Sequence, residues 1–163
     1  MKLKNLVLVA AGKEIGYVST KGDCLSKEGK ESMEFAAAKM TRLLQETEGD
    51  PKILTSPALR AKASGEILQK ALCAPQYTIC AELRPHIEKE SKGIPQALTQ
   101  QISEQEAVIL VTHPRVIESY GKRLQKAFRW KVTLPIPKLS DGEAIAFDLT
   151  RQTISIISKE VAT

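Results

Sequence analysis

Short apolar runs alternate along this chain with longer stretches of helical periodicity, and this alternation constrains the fold more than any other feature of the sequence. Three runs are short and rich in branched side chains, as buried parallel strands usually are: NLVLVA, KILTS and EAVILVTH. Between the first two runs, apolar residues recur at spacings of three and four, which predicts one buried helix face made of Met33, Ala36, Ala37, Met40, Leu43 and Leu44. A strand, a helix and a second strand in this order predict an α/β fold.

The remaining segments continue the same pattern. Ser56 and Pro57 predict a helix start, with a capping hydroxyl followed by a proline in the first turn, and this helix is expected to run to about Leu72. Two further helices are predicted in IPQALTQQIS and over residues 116–128, and a further strand in QYTIC. The segment EAIAFDLTRQTISIIS predicts two strands that meet in a turn at 150–152, as in an antiparallel hairpin.

The chain is expected to form one domain. Its 163 residues are enough to bury a sizeable core, and its 42% apolar and 26% charged residues are typical of globular proteins. No repeat, linker or low-complexity segment divides it. We therefore predict a single domain over residues 1–163, with three α/β/α layers, a mostly parallel central sheet and a closing antiparallel hairpin.

Charge and composition narrow the expected partners. The net charge of +5 is scattered and favours anionic ligands, whereas 4% aromatic residues and the lack of a dense basic run argue against a nucleic-acid surface. No apolar run reaches the roughly 18 residues that a membrane helix needs, so no membrane partner is expected. Three cysteines without a CxxC pair predict reduced thiols and a cytoplasmic protein. Two histidines are too few for a zinc site, and neither a metal nor a cofactor is expected.

Polar residues follow the predicted strands at the edge of the sheet where α/β proteins bind ligands. The second strand is followed by Ser56 and, one helical turn later, by Arg60, and the third is followed by His113 and Pro114. The first strand leads into Gly12. If these strands are neighbours, an arginine, a histidine and the N-termini of helices meet in one pocket that suits an oxyanion such as phosphate.

Each of these residues also has a purely structural interpretation. Arg60 on a first helical turn is often simply solvated, His113 can cap the end of a strand, and Ser56 can serve only as a helix cap. The joint placement of the three residues, rather than any one of them, favours a phosphate site.

Several segments, in order along the chain, resemble the histidine phosphatase superfamily, which has the phosphoglycerate mutase-like fold, and in particular its small SixA-type phosphohistidine phosphatases. LVLVAAGKE is similar to the Leu-Val-Arg-His-Gly-Glu signature, and CLSKEGKESMEFAAAKM resembles the Leu-Thr-x-x-Gly stretch that begins the next helix. ILTSPALRAKAS resembles the Ser-Ser-Pro-x-x-Arg-Ala-x-Gln-Thr segment, and AVILVTHPRVIESYGKRL resembles the Val-x-His-x-Pro region. GEAIAFDL is similar to the closing strand of the family.

The resemblance implies that Arg60 is a phosphate-binding arginine and that His113 is the second histidine of the pocket. It places the arginine and the nucleophilic histidine of the family at Ala10 and Ala11, while Gly12 matches the glycine. In the family reaction, as the resemblance implies it, that histidine attacks phosphorus and forms a phosphohistidine intermediate. Alanine cannot attack, and loss of a nucleophile from a cooperating set costs roughly 10⁴ to 10⁶ in rate.

Further positions depart from the family pattern. Lys13 stands at the position of the family glutamate, with Glu14 one place later, and Ala63 and Ser64 replace the Gln-Thr pair. The chain is therefore expected to be a non-catalytic relative of these phosphatases that still binds phosphate or a phosphorylated protein.

The same residues leave an enzyme as the alternative. An active phosphohistidine or phosphoprotein phosphatase could use His113 as its nucleophile in a rearranged pocket around Arg60, although His113 would need a different line of attack. Glu82 and Arg84 stand where some family members have a proton donor or a phosphate contact, but both also fit exposed loop charges, and His86 fits the surface.

The two remaining classes of function are a nucleotide-binding protein and a scaffold without a small ligand. A nucleotide site is disfavoured, because Val7 stands where a P-loop needs its first glycine and Glu14 stands where it needs a hydroxyl for magnesium. A scaffold that binds a partner protein without any small ligand would have the same sequence features.

Overall fold

Strands and helices alternate over most of the chain, and a hairpin follows them. The computed structural model describes residues 2–15, 24–84 and 96–159. Four helices lie within these ranges: α1 (Lys27–Leu43), α2 (Leu59–Ala71), α3 (Gln96–Ser103) and α4 (Pro114–Ala127). Six strands lie there as well: β1 (Asn5–Ala10), β2 (Lys52–Thr55), β3 (Thr78–Ile79), β4 (Ala107–Thr112), β5 (Ala144–Asp148) and β6 (Thr153–Ile157).

The six strands form one mixed sheet in the order β3-β2-β4-β1-β5-β6. The four strands β3, β2, β4 and β1 run parallel, whereas β5 is antiparallel to β1 and pairs with β6 in a hairpin. All six residues of β4 are buried because β4 lies between β1 and β2 and is covered on both faces, which explains its unbroken apolar run. The prediction of a mostly parallel sheet with a closing antiparallel hairpin is confirmed.

Two hydrophobic cores lie on the two faces of the sheet. Successive side chains of a strand point to opposite faces, so Leu6, Leu8 and Ala10 join the core on one face and Val7, Val9 and Ala11 join the core on the other. The first core is completed by α3 and α4, and the second by α1 and α2. The predicted three α/β/α layers are therefore confirmed.

The predicted apolar face of α1 is buried with one exception. Met33, Ala36, Ala37 and Met40 are at most 1% exposed, and Leu44, just after the helix, is also buried. The prediction that Leu43 is a core residue is wrong, because Leu43 is 40% exposed. It is the last residue of the helix, and its neighbour Leu44 is buried in its place.

The start of α2 also differs from the prediction. The helix begins at Leu59, with Ala58 at the N-cap, and not at Ser56 and Pro57. The Ser56 hydroxyl instead accepts a hydrogen bond from the backbone N–H of Ala58 and contacts the ring of His113, so Ser56 belongs to the turn before the helix.

The other predicted elements are present, and β3 is the shortest of them with two residues. The predicted helix in IPQALTQQIS is α3, although the first two residues of that segment lie outside the described residues. In the part of the chain that the structure describes, none of the helices is long and apolar enough to cross a membrane.

Candidate phosphate-binding site

The carboxyl ends of three neighbouring strands meet at one edge of the sheet. Because β4 lies between β1 and β2, the residues that follow these strands come together although they are far apart in sequence. His113 follows β4 directly and is the N-cap of α4, with Pro114 at the first helical position. Arg60 is the second residue of α2. The predicted convergence of Arg60 and His113 is therefore present in the structure.

Both nitrogens of the His113 ring are engaged. Nε2 lies 3.0 Å from the Ser56 hydroxyl, and Nδ1 lies 3.1 Å from a terminal nitrogen of Arg60. A guanidinium can only donate hydrogen bonds, so Nδ1 must accept and a neutral ring must carry its proton on Nε2. His113 therefore donates from Nε2 to Ser56, and its Nδ1 lone pair accepts a hydrogen bond from Arg60.

The surroundings of His113 favour the neutral ring. The side chain is only 6% exposed, and burial, together with the nearby Arg60 guanidinium, lowers the pKa of His113 to about 4, although Asp141 opposes the shift. Ser56 is fully buried, and its contact with the ring helps to hold His113 in position. A direct contact between Ser56 and a phosphate stays a prediction.

A carboxylate also contacts Arg60. The Oδ1 atom of Asp141 lies 3.4 Å from Nη1 of Arg60, and Asp141 belongs to the turn that precedes β5. Since β5 is antiparallel to β1, the start of β5 lies at the same sheet edge as the end of β1. Arg60 is thus held between a neutral histidine and an acidic side chain.

These residues border an open cleft of about 840 Å³, within the size range of ligand sites in proteins. Among the described residues that line it, three are cationic and two are anionic. Beside Arg60 and Asp141, the charged lining residues are Arg115, Glu118 and Lys138. The cleft is therefore weakly cationic and large enough for a phosphate attached to a larger group.

The loop after β1 does not reach this cleft with a reactive side chain. Ala10 and Ala11 are fully buried, one in each core. The backbone N–H of Gly12 donates to the Ser64 hydroxyl at 2.9 Å, and Ser64 in turn donates to the carbonyl of Arg60 at 2.7 Å. The Gly12 amide is thus already used in this structure, and its contact with a phosphate stays a prediction that requires this bond to open.

Gly12 also packs closely against the first turn of α1. A β carbon on Gly12 would lie 2.9 Å from the carbonyl oxygen of Gly29, and one on Gly29 would collide with the backbone of Lys13. Two glycines facing each other let the loop approach the helix without any side chain between them. This contact, together with Ser64, fixes the position of the loop.

Replacing Gly29 by alanine is expected to lower the free energy of unfolding by about 2 kcal/mol or more, because the added methyl group meets backbone atoms that cannot move aside. Glu34→Ala is the control, since Glu34 is an exposed position of the same helix and its replacement adds no atoms to a packed contact. Its effect should stay within about 1 kcal/mol. Urea unfolding of both variants measures the difference, and equal losses would contradict the prediction.

The other candidate residues lie apart from the cleft lining. Arg84 is exposed and donates from Nε to the carbonyl of Ala81, as expected for a loop charge. Glu82 is half-buried and accepts a hydrogen bond from the Cys80 thiol, whose pKa is raised to about 12 by burial and by this carboxylate. His86 lies outside the described residues. Within the described ranges, no three side chains of His, Cys, Asp or Glu come together in a way that could hold a metal ion.

The chain matches no protein-family model and no curated protein sequence. Solved structures match it over almost its whole length. The protein histidine phosphatase SixA, in complex with tungstate, gives a TM-score of 0.67 at 17% identity, over 94% of this chain and 96% of that one. The chain has the histidine phosphatase fold. A phosphoglycerate mutase from Plasmodium falciparum gives 0.55 at 17% identity, over 95% and 89% of the two chains. A mycobacterial glucosyl-3-phosphoglycerate phosphatase in complex with VO3 gives 0.57 at 14% identity, over 95% and 98%.

The predicted phosphoglycerate mutase-like fold is thus confirmed. Two residues of the site in this histidine phosphatase fold are not predicted from the sequence: Asp141, which lines the cleft, and Ser64, which holds the Gly12 loop. Asp141 precedes a strand, where ligand residues of parallel sheets are not expected, but the antiparallel direction of β5 brings it to the same edge. In the sequence, Ser64 is only a departure from a motif, whereas in the structure its hydroxyl joins the Gly12 loop to α2.

Proposed function

We propose that this protein is a non-catalytic relative of the histidine phosphatases that binds phosphate or a phosphorylated protein. The observation that carries the proposal is the fully buried alanine, Ala11, at the position where the resemblance puts the nucleophilic histidine. A methyl group has no lone pair with which to attack phosphorus, and its burial leaves no room for a substrate beside it.

The contacts of His113 argue against its use as a replacement nucleophile. Attack on phosphorus requires a free imidazole lone pair, and the lone pair of Nδ1 is directed at Arg60. The Nε2 atom carries the proton that is shared with Ser56. Both nitrogens would have to lose their partners before either could attack.

Arg60 supports the binding part of the proposal. A guanidinium has five N–H groups, of which the contacts with His113 and Asp141 engage only a part. Its planar fork matches two oxygens of a phosphate, and Arg115 and Lys138 add positive charge on the exposed wall of the cleft. The cleft is also larger than a phosphate ion, which suits a phosphorylated side chain.

Two measurements on the purified protein test the proposal. Inorganic phosphate at millimolar concentration should raise the melting temperature relative to chloride at equal ionic strength, because a ligand that binds only the folded state stabilises it. Hydrolysis of phosphohistidine and of an aryl phosphate should not exceed the rate without protein. A phosphate effect no larger than that of chloride would overturn the binding part.

An active phosphatase is the second candidate. One observation favours it: His113 lines an open cleft beside Arg60, and its lowered pKa keeps it in the neutral form that a nucleophile needs. Turnover by the natural protein that disappears in His113→Ala would support this candidate and contradict the non-catalytic one. Turnover that survives this substitution would exclude His113 as the nucleophile.

A further inference from the structure

The Arg60–Asp141 contact places an acidic side chain where an anionic ligand would need positive charge. The distance between Nη1 and Oδ1 is 3.4 Å, and the two side chains are 21% and 38% exposed. The other terminal nitrogen of Arg60 contacts His113. The guanidinium is therefore already partly neutralised by a carboxylate of the same chain.

Backbone hydrogen bonds hold Asp141 in this place. The N–H of the next residue, Gly142, lies 3.0 Å from the carbonyl oxygen of Ala10 and 3.2 Å from that of Ala11. Gly142 has a φ of 86°, a conformation that favours glycine. The Glu143 carboxylate accepts from the backbone N–H of Ser140 at 2.6 Å and closes the turn from the other side. The Asp141 carboxylate is therefore carried by a hydrogen-bonded turn that lies beside the end of β1.

We propose that Asp141 is an internal competitor for Arg60 that sets the affinity of the cleft for oxyanions. An incoming phosphate and the Asp141 carboxylate need the same guanidinium, so the two anions compete for its N–H donors. Binding of phosphate therefore requires Asp141 to move away or to share Arg60. The proposal rests on the proposed phosphate-binding function and adds the residue that controls its strength.

The chain offers a matched comparison for this role. Glu118 is an exposed residue of α4 that lines the same cleft. The ion pair with Arg60 is made by Asp141. Asp141→Asn and Glu118→Gln each remove one negative charge from the cleft lining and keep nearly the same shape. A difference between them reports on the contact with Arg60 rather than on the general charge of the cleft.

The test measures dissociation constants for inorganic phosphate by titration calorimetry at fixed ionic strength, in the natural protein and in both variants. Asp141→Asn is expected to tighten phosphate binding about fivefold or more, because it removes an ion pair that competes with the ligand for Arg60. Glu118→Gln should change it by about twofold at most, since exposed charges are screened. In an Arg60→Ala background, adding Asp141→Asn should bring no further tightening.

The outcomes separate this inference from the proposed function. Equal tightening by the two variants, or equal affinity of the natural protein and Asp141→Asn, would overturn the role of Asp141 and leave phosphate binding intact. Binding by Asp141→Asn alone would support the inference and contradict phosphate binding by the natural chain. Binding by neither protein would overturn both.

Discussion

Arg60→Ala is expected to weaken the binding of inorganic phosphate by about 100-fold, because two charge-assisted hydrogen bonds to the ligand are lost together. Arg60 is a partly buried cation of the cleft lining, and its guanidinium is held by contacts with His113 and Asp141. Arg60→Lys should recover only part of the affinity, because an ammonium keeps the charge but not the planar fork. Calorimetric titration gives the dissociation constant for phosphate in the natural protein, in Arg60→Ala and in Arg60→Lys.

Arg42→Ala provides the control for net charge. Arg42 is exposed in the last turn of α1, at the end of that helix opposite to the turn that contacts the Gly12 loop. Its loss lowers the net charge by the same single unit as the loss of Arg60. If both substitutions weakened phosphate binding equally, the ion would be responding to the overall charge of the protein, and the cleft would have no specific role.

Acid is expected to destabilise the folded protein through His113. The pKa of His113 is about 4 in the folded state and near 6.5 in an unfolded chain, so the unfolded state takes up the proton first as the pH falls. The stabilising contribution of the neutral ring is complete above pH 6.5 and is lost progressively between pH 6.5 and pH 4. A shift of this size corresponds to a loss of about 3 kcal/mol.

The free energy of urea unfolding at pH 7 and at pH 4.5, for the natural protein and for His113→Gln, measures this effect. Carboxylates also titrate in acid, so the informative quantity is the difference in pH dependence between the two proteins. The chain has only two histidines, and their ring protons can be assigned with the variant and titrated directly by NMR. A His113 signal that titrates near pH 6.5 would contradict the prediction.

The sequence predicts the fold well because its signals are local and repeated. The apolar run of β4 and the helical spacing of Met33, Ala36 and Met40 each reflect burial in one element, and alternating elements of this kind have few ways to pack. Leu43 is the exception, since the last residue of a helix is not held to the face that its spacing suggests. The carboxyl ends of parallel strands place Arg60 and His113 together for the same general reason.

The contacts within the site could not be predicted in the same way. The pairing of Arg60 with Asp141 joins residues 81 positions apart, and it depends on the direction and register of β5, which no local pattern specifies. The use of the Ser64 hydroxyl by Gly12 depends on how closely the loop approaches α2, which is set by packing. Side-chain hydrogen bonds across elements are thus the part of the site that requires the structure.

The burial of Ala10 and Ala11 in different cores bears on how such a protein could regain an enzymatic activity. A single engineered substitution at either position would have to fit a much larger, polar side chain into closely packed surroundings on one side of the sheet. Two substitutions would disturb both sides at once, and the Ser140–Glu143 turn that bonds the Ala10 and Ala11 carbonyls would have to shift with them. Directed evolution of a phosphatase from this chain would therefore have to begin with substitutions to smaller side chains elsewhere in both layers, which make room before a nucleophile is introduced.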